Sequence, residues 1–141
     1  MKWNTTMSVK IFAETRRLIL RELLPQDVDG LFEMDADAEV HRYLGNQPLQ
    51  EKHQAEKVIQ FVRQQYIDHG IGRWAMVDKE SGDFVGWTGL KFLTEPVNGM
   101  SQIHDLGYRI RRKYWGRGLA TEGAFAALTY GFEVLGLTSI Y

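Results

Sequence analysis

At 141 residues, with 44% hydrophobic and 25% charged residues and a formal net charge of -1, the chain has the composition of one ordinary globular domain and excludes a disordered class. With no cysteine and four scattered histidines, it carries no disulfide framework, no thiol nucleophile and no metal-ligand spacing. No apolar run approaches the roughly 18 residues of a membrane span, and the opening MKWNTTMSVK lacks the apolar core of a signal peptide, so the expected compartment is the cytoplasm.

In chain order, residues 1–14 read as a flexible extension. Residues 18–23 (LILREL) read as a strand, punctuated by Leu24-Pro25-Gln26-Asp27 before Val28, Leu31 and Phe32 recur at helical spacing. A second helix is expected over residues 50–68, with Ala55, Val58, Ile59, Val62 and Tyr66 on one face and His69-Gly70 as its end. Residues 73–78 and 84–92 read as strands joined by the turn Lys79-Glu80-Ser81-Gly82-Asp83, and residues 102–111 as a third after Pro96-Val97-Asn98-Gly99. The last helix is expected over residues 121–135, turning Phe125, Leu128, Phe132 and Leu135 inward and capped by Gly136, with a final strand beginning near Thr138. The order predicts an α/β fold of the α+β type, a mixed and mostly antiparallel central sheet flanked by helices, without repeats or linkers.

The most informative stretch is residues 109–122, RIRRKYWGRGLATE, where an alternating strand meets a basic glycine turn and a helix start. N–H groups in the first turn of a helix have no intrahelical partner, and the helix dipole adds partial positive charge, so anionic phosphates settle there. Gly116 and Gly118 allow the backbone to approach an anion, and Leu119-Ala120-Thr121 opens the helix. Arg109, Arg111, Arg112, Lys113 and Arg117 concentrate five cations in nine residues of a chain that is not basic overall. A phosphate ligand is expected. No Gly-Lys-Ser/Thr follows a glycine loop, and the third glycine of a dinucleotide fingerprint is missing.

The run Trp115-Gly116-Arg117-Gly118-Leu119-Ala120-Thr121-Glu122, preceded by Leu106-Gly107-Tyr108-Arg109-Ile110, resembles the acetyl-CoA signature of the GNAT superfamily of N-acetyltransferases. In the signature Gln/Arg-x-x-Gly-x-Gly/Ala, Gly118 and Ala120 fill the last two defined positions, while Trp115 replaces Gln/Arg. That replacement is similar to the subgroup of ribosomal-protein-alanine N-acetyltransferases and relatives acting on other small amines, whose first strand the run Thr15-Arg16-Arg17-Leu18-Ile19-Leu20-Arg21 also resembles. The resemblance implies one acetyltransferase domain over residues 1–141, with acetyl-CoA as cosubstrate bound by Tyr108, Arg109, Ile110, Arg111, Arg112, Trp115, Gly116, Arg117, Gly118, Leu119, Ala120 and Thr121. Family members continue past Thr138 with a further helix and two strands, so the chain is expected to be C-terminally truncated, or completed by a partner chain as in a homodimer.

The resemblance further implies that the pantetheine arm pairs with the strand edge from Tyr108 to Arg112, that backbone N–H groups near residues 108–110 hold the oxyanion, and that an amine attacks the thioester directly. Asp105 stands where this subgroup commonly carries Glu, and His104 precedes it with an intrinsic pKa suited to a base. Alternation sends the two side chains to opposite faces, so one of them at most faces the reacting atoms. By the same resemblance, the general acid, usually Ser or Tyr, is expected from the helix that follows this segment in family members and is not assigned to a residue of this sequence. Trp74, Trp87 and Tyr43 read as core or as acceptor-pocket walls, and the acidic run Asp27, Asp29, Glu33, Asp35, Asp37 and Glu39 as a solvated helix face or an attractor for a cationic acceptor. The residues leave three functional readings open: an N-acetyltransferase acting on a primary amine (a protein N-terminus, a polyamine or another small amine), a non-catalytic acyl-CoA-binding module, and a nucleic-acid-binding domain. One short basic patch at a pI of about 6.4 argues against direct nucleic-acid binding.

Overall fold

The computed structural model describes residues 9–42, 44 and 47–141. Five strands follow one another across an antiparallel meander: β1 (Ile11–Glu14), β2 (Leu18–Glu22), β3 (Arg73–Asp78), β4 (Phe84–Leu93) and β5 (Ile103–Ile110). The turns expected between 78 and 84 and between 93 and 103 join the last three, and Trp87 pairs with Arg109 and Thr88 with Tyr108 across β4 and β5. Beyond β5, Tyr141 donates its N–H to the His104 carbonyl (2.9 Å) and accepts from the Leu106 N–H (3.4 Å), the slanted pattern of a parallel neighbour. The last strand expected from Thr138 is represented by these two bonds.

Helices cover both faces. On one, α1 (Val28–Asp35), α2 (Ala38–His41) and α3 (Lys52–His69) enclose Leu23, Leu31, Met34, Ile59, Ala75 and Phe84. In α3 the spacing Ala55, Ile59, Val62 builds the buried stripe, and the helix ends as expected on Gly70, whose φ of 73° lets its N–H reach Tyr66 O. The Tyr66 hydroxyl then ties the helix to the sheet, accepting from Leu23 N–H at 2.9 Å and donating to Arg73 O, and burial pushes its pKa up. On the other face, α4 (Leu119–Thr129) lies over Leu18, Leu20, Trp74, Met76 and Leu90 and continues as a π-helical turn over Tyr130–Val134. Among the described residues, no helix is long and apolar enough to cross a membrane.

Two expectations are corrected. Residues 11–14 are not a flexible extension: Ile11, Ala13 and Glu14 pair with Arg21, Leu20 and Ile19, and Phe12 stacks on Trp74 at 5.0 Å; residues 1–8 lie outside the described ones. The inward face of the last helix is also different. Phe125, Phe132 and Leu135 are exposed, and the buried stripe is Leu119, Gly123, Ala127 and Gly131, spaced four apart. Close approach to the sheet selects small residues: a Cβ on Gly123 would lie 2.6 Å from Met76 Sδ, and one on Gly131 2.9 Å from Leu90 Cδ1. The larger hydrophobic stripe has no room on that side.

Candidate active site

The site is built from the end of β5, a tight turn at Arg112–Tyr114 and the start of α4. Ile110 ends the strand in the core, and Trp115 folds back so that its indole Nε1 donates to the Ile110 carbonyl at 2.8 Å. Gly116 and Gly118 both take left-handed conformations, φ 78° and 76°, which residues with a Cβ adopt at a cost. Gly118 caps α4, whose first intrahelical bond runs from Glu122 N–H to Gly118 O, so the N–H groups of Leu119, Ala120 and Thr121 precede the helical ladder and lack intrahelical partners. A cleft of about 250 Å³ opens here, lined by Tyr108, Arg109, Ile110, Tyr114, Trp115, Gly116, Gly118, Leu119 and Ala120.

Eight of the twelve cofactor-site residues expected from sequence therefore line one cleft, together with Tyr114, which the sequence did not single out. Thr121 sits one residue further into α4, and Arg117 is exposed on the turn with its guanidinium 5.4 Å from the Tyr114 ring. Arg111 and Arg112 are not among the residues lining the cleft, and their side chains are engaged with carboxylates.

Those side chains correct the electrostatic expectation. Arg109 bonds Asp35 at 2.9 Å, Arg111 reaches Glu33, Asp83 (3.3 Å) and the Phe84 carbonyl (2.7 Å), Arg112 pairs with Asp37 at 2.9 Å, and Lys113 with Asp83 at 3.2 Å. Glu33, Asp35 and Asp37 of the acidic run are thus counterions to Arg111, Arg109 and Arg112 of the basic run. Within the acidic run, Asp27 is buried against Arg21 at 2.8 Å and Asp35 is buried between Arg109 and His41, so neither lies on a solvated face. The Tyr114 hydroxyl donates to Asp83 and, with Lys113, holds its carboxyl below the usual range despite partial burial.

The two base candidates fall on opposite faces of β5, as alternation requires. Asp105 shares the α1/α3 face with Arg73, whose Nη2 donates to its Oδ2 at 3.0 Å and whose Nη1 donates to the Asp105 and Gly89 carbonyls. Trp87 lies half-buried on that face with the Arg73 and Arg109 guanidinium carbons 5.1 and 5.3 Å from its ring. His104 packs its ring 4.9 Å from Phe92, and burial lowers its pKa from the ordinary imidazole value. Neither Asp105 nor His104 lines the glycine-turn cleft. Trp74 is fully buried as core, and Tyr43 lies outside the described residues.

The fold brings a strand end, a left-handed glycine turn and a helix start together at one cleft, and comparison with known proteins shows the family in which this occurs. The family model described as "Acetyltransferase (GNAT) domain" matches residues 17–141. An uncharacterized N-acetyltransferase, p20 of Bacillus licheniformis, is 31% identical over 126 residues, 89% of this chain and 68% of that protein. The crystal structure of an acetyltransferase from Agrobacterium tumefaciens str. C58 superposes with a TM-score of 0.74 at 23% identity, covering 99% of this chain and 77% of the other. RimL, a ribosomal L7/L12 alpha-N-protein acetyltransferase solved in complex with coenzyme A, superposes with a TM-score of 0.65 at 16% identity, covering 86% and 67%. The chain belongs to the GNAT family of N-acetyltransferases, whose acetyl donor is acetyl-CoA.

Proposed function

We propose that the chain transfers the acetyl group of acetyl-CoA to a primary amine by direct attack, with no acyl-enzyme intermediate. The observation that carries this reading is the cleft where the β5 edge at Tyr108, Arg109 and Ile110 meets the unladdered N–H groups opening α4. In it the CoA phosphates rest on the turn at Gly116 and Gly118, and the pantetheine arm runs along β5. The neutral amine nitrogen adds to the thioester carbonyl, backbone N–H groups of β5 stabilise the oxyanion, and as the C–S bond breaks the nitrogen sheds its extra proton and the departing thiolate takes one up, giving the amide and free CoA thiol. The ammonium proton leaves beforehand to a base.

Asp105 is the base in this reading: its Oδ2 is held by Arg73, its side chain is 38% exposed, and its second oxygen is available to the amine directly or through a water. His104 is the alternative, favoured by the burial that lowers its pKa from the ordinary imidazole value. Because a structural relative is named as a ribosomal-protein N-terminal acetyltransferase, a protein N-terminus heads the acceptors to test, followed by polyamines and other small amines. The test is a thiol-release assay with acetyl-CoA and a panel of such amines, which reads CoA without background because the chain has no cysteine. Amine-dependent release supports transfer. Saturable CoA binding without release from any amine favours the non-catalytic acyl-CoA-binding module.

A further inference from the structure

Four of the five cations expected at the phosphate turn are committed to carboxylates of α1, of Asp37 before α2 or of the 78–84 turn, which leaves Arg117 as the cation of that run without an acidic partner among the described residues. A second cation reaches the turn from elsewhere. Arg17, in the turn between β1 and β2, donates its backbone N–H (3.0 Å) and its Nε (2.8 Å) to the carboxylate of Glu122 in the first turn of α4, and the Thr15 hydroxyl donates to the same carboxylate. Burial favours the protonated carboxyl, but these three donors outweigh it and hold Glu122 below the usual range, so it stays charged. With Nε fixed, the two terminal amino groups of Arg17 have no acceptor among the described residues. Nη2 lies 3.6 Å from the point where a Cβ on Gly118 would stand, directly over the left-handed turn, and the side chain is 37% exposed.

We propose that Arg17 is a cofactor-binding residue, its guanidinium contacting the phosphates of CoA at the Gly118 turn, and that Glu122 is the positioning residue that aims it. A planar guanidinium with two unspent amino groups matches phosphate oxygens, and fixing it beforehand removes the entropy of ordering a long side chain on binding. The inference rests on the acetyl-CoA reading of the same cleft.

The experiment compares the chain with its Arg17→Gln, Arg17→Lys and Glu122→Gln variants, using acetyl-CoA and S-acetylpantetheine, which lacks every phosphate. Arg17→Gln should weaken acetyl-CoA binding about 10- to 100-fold, the span of a charge-assisted hydrogen bond, with S-acetylpantetheine unaffected. Arg17→Lys should recover part of the loss, and Glu122→Gln should fall between the chain and Arg17→Gln. Inorganic pyrophosphate should compete with acetyl-CoA in the unsubstituted chain and lose potency in Arg17→Gln. Equal losses for both thioesters, or a loss that tracks a fall in melting temperature, would make Arg17 structural and overturn the inference. Unchanged acetyl-CoA binding by Arg17→Gln would overturn it while leaving the cleft assignment intact. Absence of acetyl-CoA binding by the unsubstituted chain would overturn both.

Discussion

The pairing of Asp35 with Arg109 offers the sharpest test of how the basic run is used. Asp35 has 5% of its side chain exposed and Arg109 22%, their atoms are 2.9 Å apart, and Arg109 Nε has no hydrogen-bond partner. Asp35→Ala therefore leaves a guanidinium mostly out of water beside the Trp87 face and the Arg73 guanidinium, and removes the carboxylate 3.5 Å from His41. Breaking a buried pair by deleting one partner costs about 3–5 kcal/mol, a large fraction of the roughly 5–15 kcal/mol that holds a domain together. At this chain length the melting temperature should drop by about 10–20 °C. Urea unfolding followed by circular dichroism measures the loss, and the double variant Asp35→Ala with Arg109→Met should recover much of it, because no charge is then left buried. A loss below about 1 kcal/mol, the size of an exposed ion pair, would refute the claim that the acidic and basic runs serve each other rather than ligands.

The remaining predictions concern the helix face, the base and the acid limb. Gly123→Val should destabilise by about 3 kcal/mol through overpacking against Met76 and Thr88, while Phe125→Ser on the exposed side of α4 should stay within about 0.5 kcal/mol in the same urea titration. Asp105→Asn should lower kcat at least tenfold with little change in acetyl-CoA affinity; a normal pH–rate profile in that variant, together with loss of the acid limb in His104→Gln, would transfer the role to the imidazole. Glu122 and Asp83 both have folded pKa values below the ordinary carboxylate range, so the stability they contribute is complete above that range and is lost as pH falls through their folded values. Glu122→Gln and Asp83→Asn should accordingly flatten the fall of melting temperature below about pH 4.5; an unchanged acid limb in both would contradict the sign of these shifts.

Local signals carried the sheet and the cleft. Strand β3 falls where alternation placed it, and β4, β5 and α3 lie within two residues of expectation, because glycine-bearing turns bound each apolar run. The turn at Gly116 and Gly118 was legible because left-handed glycines before a helix start are a short-range pattern. What stayed hidden depends on distance along the chain or on the absence of side chains. Asp35 and Arg109 are 74 residues apart, Glu33 and Arg111 78, and Arg17 and Glu122 105, so each charged run read alone looked available for a ligand. The face of α4 was misread because hydrophobic periodicity follows large side chains, whereas a helix pressed against a sheet buries Gly123, Ala127 and Gly131. Strand β1 escaped because four residues at a sheet edge, with Ile11 exposed, carry almost no alternation.

The central claim, that the turn at Gly118 seats acetyl-CoA, is tested most directly by isothermal titration of the chain and of Gly118→Val with acetyl-CoA. At φ 76° a β-branched residue is strained, and on this account its side chain would occupy the proposed phosphate site. The account predicts saturable one-site binding by the chain and none by the variant, with both showing the same far-ultraviolet circular dichroism. Equal affinity in a folded Gly118→Val, or no binding heat from the chain itself, would contradict it.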